Sequence, residues 1–222
     1  ALRDVFLKGQ PFSRLDEMWR MDALYPHPER LVPFLGNHDT PRFLNESGAT
    51  PRQLELAFAV LLTMRGTPQI YSGDEIAMHG GEDPDNRRDF PGGFPADPQS
   101  AFSAATRTPD QRELHDWVRS LLQLRKIHSA LQDGEEQVLK AEGAQLVFAR
   151  TTAHEHLLIA VNNSDQPTSV DIPIANTAIE DARGSQTLFG AGDLTFRDGQ
   201  MTLKLPPRGV ILASLRTAGV AP

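Results

Sequence analysis

The chain has 222 residues, a formal net charge of −7, and an ordinary globular balance of 39% hydrophobic and 23% charged residues. Its basic residues come at most in pairs, as in Arg87-Arg88 and Arg125-Lys126, so no basic stripe exists to neutralise phosphates and nucleic acid is excluded as a partner. No apolar run approaches the roughly 20 residues of a membrane-spanning helix, and the absence of cysteine excludes disulfides and thiol catalysis.

The first segment, Leu2-Arg3-Asp4-Val5-Phe6-Leu7, starts mid-pattern without an N-cap, and residue 1 is alanine. The expectation is an excised piece of a longer protein, in which a missing signal peptide carries no weight and the compartment stays undetermined. Ser13 followed by Asp16 resembles a capping box, which predicts a short helix with Leu15, Met18 and Trp19 on one face. The apolar run Leu31-Val32-Pro33-Phe34-Leu35 reads as a short buried strand ending in the polar cluster Gly36-Asn37-His38-Asp39. Thr50-Pro51 opens a helix to about Arg65, with a wide apolar stripe (Leu54, Phe58, Leu61, Leu62, Met64) and Gly66 as its stop. A second apolar run follows at Pro68-Gln69-Ile70-Tyr71. The order strand, helix, strand places the polar cluster at the carboxyl end of a parallel strand, the end where ligands bind in α/β barrels and open α/β sheets.

A long loop rich in Gly, Pro and Asp runs from Gly73 to about Thr108, a length that marks functional or mobile segments. Within it, Asp83-Pro84-Asp85-Asn86 resembles the start of a calcium loop, but the sixth position holds Arg88 and the twelfth Phe94, so the reading is a salt-bridged surface loop. Thr108-Pro109-Asp110-Gln111 is a helix start, after which Leu114, Trp117, Val118, Leu121, Leu122 and Leu124 are expected to face inward. From Asp133 the pattern changes. Leu146–Ala149, Leu157–Val161, Thr202–Leu205 and Val210–Ala213 read as strands, separated by turn clusters at Asn162–Asp165 and Arg197–Gln200, the latter with an Asp-Gly hairpin signal. Short strands at this spacing indicate an antiparallel sandwich or Greek-key domain.

Three segments carry a resemblance to a known family. Phe34 to Asp39 resembles the motif at the end of the seventh barrel strand of the α-amylase superfamily (glycoside hydrolase family 13). Gly66-Thr67-Pro68-Gln69-Ile70-Tyr71-Ser72-Gly73-Asp74-Glu75 is similar to its eighth-strand motif. Gly80-Gly81-Glu82-Asp83-Pro84-Asp85-Asn86-Arg87-Arg88 looks like a loop of its cyclomaltodextrinase and neopullulanase branch. The resemblance implies an α/β plus all-β chain: residues 1–132 as the C-terminal portion of a (β/α)8 TIM barrel, and residues 133–222 as a Greek-key β-sandwich. It also implies a retaining glycosidase acting on α-1,4-linked glucan oligosaccharides or polysaccharides; no cofactor is expected, and no residue of this sequence reads as a metal ligand.

By the same resemblance, Asp39 is the third family carboxylate, stabilising the transition state through sugar hydroxyls, with His38 and Asn37 beside it. Contacts that tighten as the ring flattens supply several kcal/mol in such enzymes. Arg42 is expected to hold Asp39 ionised, and Arg88 to line a neighbouring sugar subsite. The nucleophile and proton donor of the family lie on earlier strands, and only residues 1–37 precede the site here. Trp19-Arg20-Met21-Asp22-Ala23 mimics the nucleophile motif, but its upstream spacing is helical, so Asp22 reads as a helix-end residue. The isolated chain is expected to be inactive, and to associate either with itself through an exposed half-barrel or with a missing N-terminal barrel portion.

Two other classes compete. Gly36-Asn37-His38-Asp39 also matches the block of calcineurin-like metallophosphoesterases, which needs an earlier Asp-x-His and Gly-Asp pair for two metals; neither precedes it. A glucan-binding or scaffold module is the other. The segment after Asp133 has no Trp or Tyr to stack on sugar, which favours the scaffold.

Overall fold

The computed structural model describes residues 1–217. Five helices come first: α1 (Leu2–Lys8), α2 (Ser13–Arg20), α3 (Pro51–Thr63), α4 (Pro109–Ile127) and α5 (Ser129–Gln132). Eight strands follow: β1 (Glu135–Glu142), β2 (Gln145–Thr151), β3 (His156–Asn162), β4 (Thr168–Pro173), β5 (Ala182–Gly190), β6 (Asp193–Arg197), β7 (Gln200–Leu205) and β8 (Val210–Thr217). None of these helices is long and apolar enough to cross a membrane.

Helix α3 is the centre of the first part. Its capping box is complete: the Thr50 hydroxyl accepts from the Gln53 N–H, and the Gln53 side-chain Oε1 accepts from the Thr50 N–H at 2.9 Å. Such a cap contributes about 1 kcal/mol. Every residue from Leu54 to Thr63 is buried, so the wide apolar stripe marks a helix covered on all sides. The helix ends at Thr63, with Met64 as its extended C-cap, short of the expected glycine stop. Its last carbonyls are satisfied by cations from elsewhere: Arg125 donates to the oxygens of Leu62 and Met64, and Arg150 to that of Thr63.

Gly66 has a different task. It takes φ 93°, and a Cβ there would lie 2.5 Å from the Leu31 carbonyl oxygen. The glycine lets the segment after α3 run against the segment before it. The two meet in one parallel bridge, Phe34 to Gln69, with the Thr67 and Gln69 N–H groups donating to the Leu31 and Pro33 oxygens at 2.9 Å. The expected strand at Leu31–Leu35 is therefore reduced to a bridge, because Pro33 has no N–H to extend a ladder. Its parallel direction stands. The outward-facing Val32 and Phe34 are 51% and 45% exposed.

Two helical expectations need correction. No side chain caps α2; the helix begins at Ser13 itself, after the fully buried Phe12, whose ring packs edge-on against Phe6 at 5.5 Å. A buried aromatic anchor takes the place of a capping hydroxyl. On α4, Leu122 does not face inward but is 40% exposed beside Ile70 and Val118.

The strands form two antiparallel sheets, of order β1-β2-β3-β8-β5 and β4-β7-β6. The large sheet is buried on both faces. One face, through Phe148, Leu157, Ile159 and Leu212, joins the core of the helices; the other, through Val147, Leu158, Ala160 and Ile211, packs on Met201, Leu203 and Leu205 of the small sheet. Double burial turns an alternating pattern into a continuous apolar run. The β6–β7 hairpin turns at Asp198 and Gly199, both at positive φ, as an Asp-Gly loop of two residues requires. The four strands read from the sequence (β2, β3, β7, β8) are the inner ones. Those it missed (β1, β4, β5, β6) are the four sheet edges, where half-solvated side chains carry no apolar run.

Candidate functional site

The polar cluster follows the bridged segment directly, so it stands at the carboxyl end of the parallel pair. Residues 36–41 form a tight turn. The Asn37 Oδ1 accepts from the Asp39 N–H at 2.9 Å, and Arg3 of α1 donates to the oxygens of Leu35 and Pro41 at the turn's two ends. In this structure Asn37 shapes the turn. His38 and Asp39 project from it, 62% and 63% exposed, with the His38 Nε2 3.2 Å from the Asp39 Oδ1. An exposed carboxylate beside an imidazole can accept hydrogen bonds from ligand hydroxyls without first being desolvated.

The arginine beside Asp39 is Arg87, to which the sequence pattern assigns no role. Its guanidinium lies 3.9 Å from the Asp39 Oδ1 and 3.2 Å from the Asp83 carboxylate, and its Nε donates to the His38 carbonyl oxygen at 3.1 Å. The i,i+4 spacing of Asp83 and Arg87 was the available signal. Nothing in the sequence says which of two adjacent arginines turns toward the acid. Arg88 turns the other way and donates to Asp85 at 2.6 Å. That bond and the Gly81 N–H hold the Asp85 carboxyl below its usual range, the backbone donor contributing most.

Arg42 does not hold Asp39. Its side chain is 2% exposed and bonds the buried Asp74 at 2.8 Å, over the Tyr71 ring at 4.4 Å, so it is closed to a sugar as well. The physical reason is position: Arg42 lies beyond the turn and points back into the protein. Burial pushes the Asp74 carboxyl up to about 6, against the pull of Arg42. The Arg42 Nε and the Tyr71 hydroxyl both donate to the Asn86 carbonyl oxygen.

Asp22 is engaged elsewhere. It sits in a short 3-10 turn after α2, and both its oxygens accept from Arg65, which precedes the second parallel segment. It therefore belongs to the amino end of that pair, opposite the end that carries Asp39. Among the described residues, no group of three or more His, Asp or Glu side chains could hold a metal ion.

A turn bearing Asn-His-Asp at the carboxyl end of a parallel pair, followed by helices and two antiparallel sheets, makes this an α/β chain with a C-terminal all-β part. Residues 17–120 match the family model described as the α-amylase catalytic domain, and residues 137–212 that of the neopullulanase-like C-terminal domain. The chain belongs to the α-amylase superfamily, in its cyclomaltodextrinase and neopullulanase-like branch. A cyclomaltodextrinase of Geobacillus thermopakistaniensis is 32% identical over 205 residues, covering 89% of this chain and 32% of that protein. A maltogenic α-amylase of Bacillus acidopullulyticus is 31% identical, covering 86% and 30%. An α-amylase structure from Anoxybacillus superposes with a TM-score of 0.77 at 29% identity, covering 96% of this chain and 44% of that one. The chain thus spans about a third of the length of the curated relatives it matches. With the Gly-Asn-His-Asp block inside the α-amylase match, the metallophosphoesterase alternative falls.

Proposed function

We propose that this chain supplies the sugar-holding acid of a retaining α-glucan hydrolase, and that its two parallel segments are the last strands of a (β/α)8 barrel. The observation that carries the reading is the placement of Asp39: exposed, flanked by His38 and Arg87, at the carboxyl end of the parallel pair. In that role the Asp39 carboxylate accepts from the hydroxyls of the ring next to the cleaved bond, and these contacts tighten as the ring flattens toward an oxocarbenium-like transition state. His38 donates to the same sugar, and Arg87 keeps the acid aimed. The names of the relatives point to cyclic or linear α-1,4-glucans as substrates.

Bond cleavage needs a nucleophilic carboxylate and a separate acid about 5–5.5 Å apart. Asp22, bound through both oxygens to Arg65, is not free to serve as either. A further barrel portion carries them. The test is reducing-sugar release from maltooligosaccharides and cyclodextrins. The chain alone is expected to release none. Joined to a portion bearing the two other carboxylates it is expected to turn over, with a loss of about 100-fold or more on Asp39→Asn. Turnover by the chain alone that disappears on Asp22→Asn would overturn the reading.

A further inference from the structure

Behind the rim turn, the loop residue Asn86 is 1% exposed and lies in a 3-10 turn, Asp85–Arg87, far along the chain from Asp39. Its carboxamide nitrogen donates to two backbone oxygens, those of His38 at 2.8 Å and Thr40 at 3.0 Å. These are the carbonyls on either side of Asp39. Both acceptors are carbonyl oxygens, so only the NH2 end of the amide can face them, and its orientation is fixed by chemistry. The Oδ1 of Asn86 has no hydrogen-bond partner among the described residues. An orphaned buried oxygen carries a cost of about 1–3 kcal/mol, so a residue kept here for packing alone would be better as an apolar one.

The loop that delivers Asn86 is itself fixed from behind. The Asn86 carbonyl oxygen accepts from Arg42 at 3.1 Å, and Arg42 is held by Asp74. The Arg42 N–H donates to the Gly80 oxygen at 2.9 Å, and a Cβ on Gly80 would stand 2.7 Å from the Asn86 Cα. Glycine at 80 is what allows the two backbones to lie this close.

We infer that Asn86 is a positioning residue for Asp39: one carboxamide, seated on the Arg42–Asp74 pair, clamps the carbonyls before and after the acid and sets the direction of its side chain. Arg3 anchors the outer ends of the same turn, at Leu35 and Pro41, while Asn86 anchors the inner ones. Arg87 gives the His38 oxygen a second donor; at Thr40 the amide of Asn86 acts without that help. Catalytic groups must be held within about 0.5 Å of the productive geometry, and a misplacement of about 1 Å costs on the order of 100-fold in rate. The catalytic half of this inference rests on the proposed role of Asp39; the clamp itself does not.

The experiment has two arms. In the 222-residue chain, 15N relaxation and amide exchange are followed in wild type, Asn86→Leu and Gly80→Ala, with the thermal midpoint beside them. The expected result is that the Asn37, His38, Asp39 and Thr40 amides become mobile and exchange at least tenfold faster in both variants, while α3 and β3 amides keep their protection. Unchanged rim amides, or a uniform loss across the chain, overturns the clamp. In the catalytically complete enzyme containing this chain, Asn86→Leu is expected to lower kcat 10- to 100-fold with KM moved less than threefold. A kcat within twofold of wild type overturns the positioning role. If Asp39→Asn leaves turnover intact, the catalytic half falls with the proposed function, and the relaxation data still decide the clamp.

Discussion

The Arg42 guanidinium meets the Asp74 carboxylate at 2.8 Å, and both side chains are closed to solvent, 2% and 4% exposed. The pair stands behind the rim turn and supports the loop that reaches it. Buried ion pairs of this kind gain little over an apolar pair, but removing one partner leaves an uncompensated charge. Arg42→Met is therefore expected to cost about 3–5 kcal/mol in urea unfolding, and Asp74→Asn, which strands the buried guanidinium, at least as much. A loss below 1 kcal/mol for Arg42→Met would mean that Asp74 finds another partner.

Two buried acids give the chain a pH dependence. Burial raises Asp74 from 3.8 to about 6 and Glu136 from 4.5 to about 7, the latter despite Arg150 and the Arg65 N–H beside it. The folded state holds these protons more tightly than the unfolded one, so their contribution is complete below the unfolded values and is lost as pH rises through about 6 and about 7. Each is worth on the order of 3 kcal/mol at full ionisation. Urea midpoints are expected to fall between pH 5 and pH 8, and Glu136→Gln to flatten the part between 5 and 7. A flat wild-type profile would rule this out.

Gly66→Ala tests the parallel contact. The Cβ would meet the Leu31 oxygen at 2.5 Å in a backbone region that L-residues rarely adopt. The expected loss is about 2 kcal/mol or more, with the Thr67 and Gln69 amides losing exchange protection first. Equal protection of those amides in the variant would show that the bridge does not depend on glycine.

The open edge of the bridged segment makes an association prediction. Val32 and Phe34 expose their side chains along a groove of about 430 Å³ that Met18 and Trp19 also line. Each uncovered large apolar side chain forfeits roughly 1.5–3 kcal/mol, and an unpaired strand edge recruits partners. Sedimentation of the chain alone is expected to show concentration-dependent self-association, reduced by Phe34→Arg. A monomer throughout the micromolar range would contradict it.

A packing prediction concerns the joint between helices and sheet. Phe148 of β2 is fully buried, its ring 5.4 Å from that of Trp19 on α2. Phe148→Ala is expected to cost about 3–5 kcal/mol and to unfold both parts in one transition, because one core runs through them. Two separated transitions would show that the helices and the sandwich hold independently.

What the sequence determined by itself is whatever a local pattern encodes. The Thr50 and Thr108 caps, helix α3 with its wide apolar stripe, the Asp-Gly hairpin and the four inner strands were legible, since each is written in adjacent residues or in a run of apolar ones. So was the polar cluster at the end of a parallel segment. What the tertiary structure decided is everything that depends on which way a long side chain turns and on what lies across from it. Arg42 and Arg88 turn away from Asp39 while Arg87 turns toward it, and Asn86 comes from 47 residues along the chain to bracket the acid. The edge strands β1, β4, β5 and β6 belong with these, for a strand half in water takes its form from the neighbour it pairs with. Local sequence fixes dihedral preference and periodicity; a guanidinium's partner is chosen by burial and distance, which exist only once the chain has folded.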